Sequence, residues 1–232
     1  TIRLMEQFGI RVESGRYRLR VYPGHYYPGK FSVESDWSAA AFWYEAVALA
    51  EEADIFLEGL DQRSLQGDHV LTEIFSNFGV ESVFSPSGVR LTKIIKKIDG
   101  FFYDFSDHPD LAQAVIATCA GLGIRGTFEG LKSLQIKETD RLRAMKNELE
   151  KLGVKVRITA GSSGNSTLEL DSRRTPLHPG KVVETYGDHR MAMAFAPLVL
   201  KTGDLKIRNP EVVIKSYPDY WDHLRQCSFI LQ

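Results

Sequence analysis

A repeated pattern of helix ends constrains the fold of this chain more than any other feature. Three amphipathic stretches each end at a glycine and are followed by a short alternating strand pattern; the glycines are Gly9, Gly79 and Gly153. Glycine ends helices in the left-handed conformation because it has no Cβ to clash. A second strand is predicted after each, over 17–21, 89–92 and 167–170. The chain therefore contains internal repeats, and its fold must be built from them.

A second type of helix alternates with the first. It begins at an aspartate and is rich in alanine, and the three aspartates are Asp36, Asp110 and Asp188, spaced by 74 and 78 residues. A strand is predicted after each such helix, over 54–57, 124–128 and 204–208. The next helices are predicted to start near Asp68, Asp140 and Asp219. The unit is helix, strand, helix, strand, strand, with a further strand expected before the first helix.

These units define the expected fold class and domain organisation. Such a unit buries little apolar surface alone, so several must pack on a shared core. We predict an α+β fold with α/β-like repeats, a pseudo-threefold domain of βαβαββ units. The alternative is chance similarity among α/β elements, which three matches in the same order disfavour. Residues 1–35 contain only the tail of a unit, and the third unit stops after the helix near 220–226, so we expect 36–232 to be an incomplete domain.

Composition narrows the classes of function. The chain has 232 residues, 43% of them hydrophobic and 25% charged, as in ordinary globular proteins. A net charge of -1 argues against nucleic-acid binding, so an anion site must be a local cluster of cations. Cys119 and Cys227 form neither a disulfide framework nor a metal motif, and a reducing cytoplasm is expected. No apolar run reaches the roughly 18 residues of a membrane span.

A pseudo-threefold arrangement would bring several helix N-termini to one surface. Free N–H groups and the helix dipole make such ends suitable for phosphate and carboxylate groups. Asp36, Asp110 and Asp188 would then be helix N-caps, and capping accounts for any single one of them. The residues near Asp110 and Asp188 make these two stronger candidates for a functional role.

Two short segments each contain several charged or titratable side chains. In 137–141, helical spacing would place Lys137 and Arg141 on one face with Glu138 beside them. The alternative is a solvent-exposed helix start whose charged side chains pair with one another. In 186–193, His189 and Arg190 occupy the first turn of an otherwise apolar helix. Cations there oppose the helix dipole, which favours an anionic ligand over a surface role.

A third candidate is Lys215. It stands in the equivalent loop of the third unit, after an apolar strand predicted over 212–214. A surface lysine is an equally good interpretation on sequence alone.

These segments resemble, in order, those of the 5-enolpyruvylshikimate-3-phosphate synthase family. The similarity extends over nearly the whole chain and includes 31–40, 64–68, 108–110, 137–141, 186–193 and 215–220. Trp37 departs from the small residue usual in the family. The resemblance implies one half, the C-terminal half, of a two-domain enolpyruvyl transferase fold. Residues 1–35 would be the tail of the partner domain, and strands from the absent N-terminus would complete 36–232.

The resemblance also implies a reaction. A member of this family transfers the enolpyruvyl group of phosphoenolpyruvate to shikimate-3-phosphate and releases phosphate, in aromatic amino-acid biosynthesis, without a cofactor or metal. It is the target of glyphosate. The alternative is the related UDP-N-acetylglucosamine enolpyruvyl transferase, which lacks the combination of 137–141 with 188–191.

Roles follow residue by residue from the resemblance. Asp110 matches the base that contacts the shikimate hydroxyl, and Glu138 matches the proton donor, which needs a raised pKa or a proton relay. Phosphoenolpyruvate would be bound by Arg141, His189, Arg190 and Lys215. Shikimate-3-phosphate would be bound by Asp110, Lys137 and Ser133, although the family often has Asn at the last position.

Part of the family's substrate site would lie before Thr1. We therefore expect negligible activity from this chain without the missing N-terminal half of the enzyme, which would be its partner. A non-catalytic domain that binds anions through Arg141, Arg190 and Lys215 is a second hypothesis. Nucleic-acid binding, known for related repeats in RNA-end-processing enzymes, is a third, and the net charge counts against it.

Overall fold

A computed structural model describes residues 1–161, 165–173 and 176–231. The helices of this part are α1 (Ile2–Gln7), α2 (Trp37–Leu49), α3 (Leu71–Ser76), α4 (Ala112–Leu122), α5 (Arg141–Lys151), α6 (His189–Phe195), α7 (Val199–Thr202) and α8 (Tyr220–Gln226). The strands are β1 (Val12–Gly15), β2 (Arg18–Val21), β3 (Asp54–Glu58), β4 (Val80–Ser85), β5 (Gly88–Lys93), β6 (Gly100–Asp104), β7 (Arg125–Glu129), β8 (Lys155–Ala160), β9 (Ser166–Asp171), β10 (Lys181–Val183) and β11 (Leu205–Ile207).

The second unit contains every element of the predicted repeat. It runs β6-α4-β7-α5-β8-β9, and its sheet has the order β6-β7-β9-β8. Strand β6 is parallel to β7, whereas β9 is antiparallel to both β7 and β8. This unit is a complete βαβαββ repeat.

The first unit repeats this topology without its leading strand. Its sheet has the order β3-β5-β4, which corresponds to β7-β9-β8 of the second unit. The chain before α2 still approaches the sheet, because Ser35 N donates to Gly59 O over 3.0 Å. The equivalent bond in the second unit runs from Phe105 N to Glu129 O over 2.9 Å.

The third unit contributes the parallel pair β10 and β11 and then α8. Near the start of the chain, β1 and β2 follow α1 and form an antiparallel pair of their own. The three repeat glycines adopt the predicted left-handed conformation, with φ of 91° at Gly9, 78° at Gly79 and 90° at Gly153. The repeat predicted from the sequence is therefore confirmed.

The core lies around the three alanine-rich helices. Helices α2, α4 and α6 contact one another, and every residue of α4 from Ala112 to Ala120 is buried. A helix that is apolar on all sides is expected at the centre of a domain. Cys119 is buried there as well. The first turn of α6 meets the turn that precedes α4, because Arg190 Nη1 donates to the backbone oxygen of Asp110 over 2.9 Å.

The prediction that three aspartates cap these helices was wrong for Asp110. Asp36 caps α2 by accepting from Ser38 N, and Asp188 caps α6 by accepting from Arg190 N. Asp110 instead lies inside the 3-10 turn Pro109–Leu111 that precedes α4. Proline suits the start of a helical turn, so Pro109 moves the start upstream of Asp110 and leaves its carboxylate to other partners.

Two further local predictions need correction. Lys137 lies before α5 rather than on its face, because Asp140 caps that helix by accepting from Arg143 N over 3.0 Å. Lys215 ends the 3-10 turn Pro210–Lys215, where an apolar strand was expected to precede it.

Candidate functional site

The site is organised around the guanidinium of Arg141, the first residue of α5. Only 2% of this side chain is exposed. Its Nε donates to Asp188 over 2.6 Å, its Nη2 to Glu138 over 2.6 Å, and its Nη1 to Asp110 over 3.3 Å. One buried cation thus joins three carboxylates that come from separate parts of the sequence.

Asp188 is placed by the turn that leads into α6. Its side chain is fully buried, and its Oδ1 accepts from Arg190 N over 2.9 Å. Tyr186 and Gly187 precede it with φ of 55° and 71°, both in the left-handed region. This turn aims one carboxylate at both the helix end and Arg141.

Asp110 faces three cations and remains accessible. Its carboxylate lies 3.5 Å from Lys137 Nζ, 3.3 Å from Arg141 Nη1 and 3.6 Å from Arg190 Nη2. About a third of the side chain, 32%, is exposed. A carboxylate in such surroundings can contact a hydroxyl group from solvent or from a ligand.

Glu138 bridges Arg141 and Lys215. Its Oε2 accepts from Arg141 and its Oε1 accepts from Lys215 Nζ over 2.7 Å. The hydrogen bond from Lys215 is the main cause that lowers the pKa of Glu138 to about 2. Of the two conditions expected for a proton donor, the raised pKa is therefore not met in this arrangement, and a relay from a neighbouring group is required.

His189 lies beside the same cluster. It is 6% exposed, and its Nδ1 is 3.8 Å from Asp188 Oδ1 without a hydrogen-bond partner among the described residues. Burial is the main cause that lowers the pKa of His189, so the imidazole is neutral at neutral pH. A neutral ring can donate one hydrogen bond to a ligand.

Ser133 is the one predicted site residue that the structure does not join to the others. It lies in the 3-10 turn Lys132–Ile136, before Lys137. None of the hydrogen bonds in the described ranges links it to Arg141 or Asp110.

Sequence reasoning missed two contributions to the site. Asp188 was predicted to cap its helix but not to pair with Arg141, whose Nε donates to it over 2.6 Å. Asp68 accepts from Ser38 Oγ and interacts electrostatically with Asp110 and Arg190, and burial is the main cause that raises its pKa. Periodicity could not identify these contacts, because they join residues far apart in the chain. The signal that could have found the Asp188 contact is chemical: a buried arginine such as Arg141 needs a carboxylate partner.

The assembled charges suit an anionic ligand. Four cationic side chains and three carboxylates meet here: Lys137, Arg141, Arg190 and Lys215 with Asp110, Glu138 and Asp188. Arginine binds phosphate and carboxylate through a planar fork. In the described part of the chain, no group of His, Cys, Asp and Glu is arranged to hold a metal ion. The geometry supports anion binding next to an accessible carboxylate.

Comparison with known proteins identifies the family. A family profile described as EPSP synthase (3-phosphoshikimate 1-carboxyvinyltransferase) matches residues 1–224. The chain belongs to the EPSP synthase family. A 3-phosphoshikimate 1-carboxyvinyltransferase of Bacteroides fragilis is 43% identical over 230 residues, covering 99% of this chain and 55% of the relative. One from Methanoculleus marisnigri is 34% identical, covering 97% and 51%. This family member thus spans about half the length of the relatives it matches.

Solved structures agree on the fold of this EPSP synthase family member. The EPSP synthase of Acinetobacter baumannii superposes with a TM-score of 0.70 at 22% identity, covering 97% of this chain and 53% of the other. The enolpyruvyl transferase NikO of Streptomyces tendae gives 0.65 at 16% identity, covering 98% and 52%. Among the helices that the structure describes, none combines the length and apolarity needed to cross a membrane.

Proposed function

We propose that this chain is one part of an enzyme that transfers the enolpyruvyl group of phosphoenolpyruvate to shikimate-3-phosphate and releases phosphate. The observation that carries the proposal is the convergence of Asp110, Arg141 and Arg190 at the helix starts of the second and third units. Family membership supports it as well. The partner is the portion of the enzyme that corresponds to the uncovered part of the relatives.

The addition step uses Asp110 as the base. The hydroxyl oxygen of shikimate-3-phosphate forms a bond to the central carbon of phosphoenolpyruvate, and Asp110 accepts the hydroxyl proton. The methylene carbon takes a proton at the same time, and a tetrahedral intermediate forms. The exposed third of Asp110 leaves room for the hydroxyl group.

Glu138 supplies or relays the methylene proton. With a pKa of about 2 it is ionised at neutral pH, so it must first receive a proton from a neighbour or from the substrate phosphate. A phosphate group that takes over the Lys215 and Arg141 contacts would remove the cause of the low pKa. In the elimination step Glu138 takes a proton back from the methyl group as the bond between the central carbon and the phosphate oxygen breaks. The phosphate leaves with the proton that Asp110 accepted, so both carboxylates return to their starting state.

The remaining residues bind and orient the substrates. Arg141, Arg190 and Lys215 hold the phosphate and carboxylate of phosphoenolpyruvate, and neutral His189 donates a hydrogen bond beside them. Lys137 contacts shikimate-3-phosphate next to Asp110. Ser133, in the turn before Lys137, contacts shikimate-3-phosphate as the sequence resemblance implies.

The proposal includes a domain assignment and a location. Residues 1–35 belong with the partner domain and 36–232 form the domain that carries the cation cluster. The separate β1–β2 pair and the topology of the three units support this boundary. The cytoplasmic location expected from the cysteine content stays a prediction.

The test uses a chimera of this chain with a relative, called the assembled protein. The chain replaces the matching segment of the Bacteroides fragilis relative, and phosphate release is measured with phosphoenolpyruvate and shikimate-3-phosphate. We expect release that needs both substrates. Release with UDP-N-acetylglucosamine in place of shikimate-3-phosphate would instead support the related sugar-nucleotide transferase. No release from a folded assembly would leave the chain as an anion-binding domain.

A further inference from the structure

Helix α5 holds the segment 184–188 at two separate points. At the first residue of the helix, Arg141 donates to Asp188 over 2.6 Å. Two turns later on the same face, Glu148 accepts a hydrogen bond from Tyr186 Oη, also over 2.6 Å. The side chains of Arg141 and Glu148 are both buried. The two contacts fix this segment against one rigid element.

Glu148 is built into its position by several hydrogen bonds. Its side chain is fully buried, and besides Tyr186 it accepts from Lys151 Nζ over 2.8 and 2.6 Å and from Glu184 N over 3.1 Å. A buried carboxylate is tolerated when it is paired and hydrogen-bonded in this way. No ion pair or hydrogen bond in the described ranges joins Glu148 to Asp110 or Glu138, so it lies outside the anion cluster.

The segment that Glu148 holds is strained. Tyr186 has a φ of 55°, which a non-glycine residue adopts only where its surroundings hold it. Gly187 continues the left-handed turn, and Asp188 N donates to Thr185 O over 2.9 Å to close it. The direction of the Asp188 carboxylate therefore depends on the conformation of Tyr186.

We propose that Glu148 and Tyr186 are positioning residues, which hold the turn before α6 so that Asp188 meets Arg141 and Arg190 reaches Asp110. They act through the backbone rather than by contact with a substrate. The consequence for catalysis rests on the proposed function, whereas the consequence for the geometry of Arg141 does not. Losing the Tyr186 hydroxyl should let the strained turn relax and loosen the buried contact between Arg141 and Asp188.

The first test measures the Arg141 side chain directly. Its Nε–H resonance is assigned in the chain with an Arg141→Lys variant, and its hydrogen exchange is followed by NMR. Tyr186→Phe should accelerate this exchange roughly tenfold, because a hydrogen bond to a charged group is lost at the turn. Tyr44→Phe is the matched control, since it removes a hydroxyl that contacts Ser82 on the first unit. Unchanged exchange in a folded Tyr186→Phe variant would overturn the proposal.

A second variant keeps the test decisive if Tyr186→Phe does not fold. Glu148→Gln retains an oxygen that can accept from Tyr186 but removes the charge that holds Lys151. Its expected acceleration of the Arg141 Nε–H exchange is smaller than that of Tyr186→Phe and larger than that of Tyr44→Phe. Exchange equal to that of the unaltered chain would count against the proposal.

The second test asks whether the positioning serves the reaction. In the assembled protein, Tyr186→Phe should lower kcat/KM for phosphoenolpyruvate about tenfold, with a thermal midpoint close to that of Tyr44→Phe. If the assembly is inactive, the proposed function fails and the Arg141 exchange still decides the positioning role. Full activity of folded Tyr186→Phe would refute the catalytic consequence.

Discussion

The Nε atom of Arg141 lies 2.6 Å from Oδ2 of Asp188, and both side chains are withdrawn from solvent. The pair joins α5 of the second unit to α6 of the third. Its geometry places the rest of the guanidinium beside Glu138 and Asp110. A single buried ion pair therefore connects the packing of two units to the arrangement of the candidate site.

Removing the charge of Asp188 should destabilise the fold. Asparagine keeps the N-cap of α6, but Asp188→Asn leaves the buried Arg141 without the one fully buried carboxylate among its partners in the described ranges. Breaking a buried pair in this way costs about 3 kcal/mol or more. Urea unfolding measures the loss. The control is Asp54→Asn, which breaks an exposed pair with Arg90 and should change the free energy of unfolding little.

Glu45 should make stability fall as pH rises. It is fully buried in α2, neither carboxylate oxygen has a hydrogen-bond partner in the described ranges, and burial raises its pKa well above the usual value. In the unfolded chain it ionises near pH 4.3, so above that pH folding must take up a proton. The free energy of unfolding should lose about 1.4 kcal/mol per pH unit until the folded-state pKa is reached.

The variant Glu45→Gln isolates this effect. The difference in unfolding free energy between Glu45→Gln and the unaltered chain should grow from pH 4.5 to pH 6.5 in favour of the variant. Glu51→Gln, an exposed position beyond the same helix, should show no such growth. A difference that stays constant with pH would mean that Glu45 is ionised in the folded protein.

Lys215 should control the ionisation of Glu138. Its hydrogen bond is the main cause of the pKa of about 2, so Lys215→Met should move that pKa up toward the usual range of a glutamate. Carboxyl carbon NMR between pH 3 and 6 measures the change. Lys206→Met, at an exposed position on β11, should leave the Glu138 signal unshifted over this range. A flat Glu138 signal in Lys215→Met would assign the low pKa to Arg141.

Arg190 should not be replaceable by lysine. A lysine keeps the charge but loses the planar fork that suits phosphate and carboxylate groups. In the assembled protein, Arg190→Lys should raise KM for phosphoenolpyruvate about tenfold or more, while exposed Arg157→Lys on β8 leaves it unchanged. Equal KM values would remove Arg190 from the phosphoenolpyruvate site.

Local sequence signals predicted most of the fold. Helix-ending glycines such as Gly79 and strand alternation depend on neighbouring residues, so they can be read directly from the chain. The prediction for Asp110 failed because Pro109 moved the start of the turn upstream, which freed the carboxylate for Arg141 and Arg190. An aspartate that does not cap a helix can serve another purpose, and in the proposed reaction Asp110 is the base.

The site contacts were less accessible to sequence reasoning. Arg141 and Asp188 are 47 residues apart and meet only because the second and third units pack together. The burial of the Glu45 carboxylate also depends on packing, because an alanine-rich helix gives no sign of which face a single acidic residue will occupy.

Asp110 is the residue on which the proposed reaction depends most directly. The decisive measurement is phosphate release by the assembled protein carrying Asp110→Asn, compared with Asp61→Asn at an exposed loop position. Loss of the general base should lower kcat by roughly a hundredfold or more, with Asp61→Asn fully active. Near-normal release by folded Asp110→Asn would contradict the assignment of this cluster as the site of enolpyruvyl transfer.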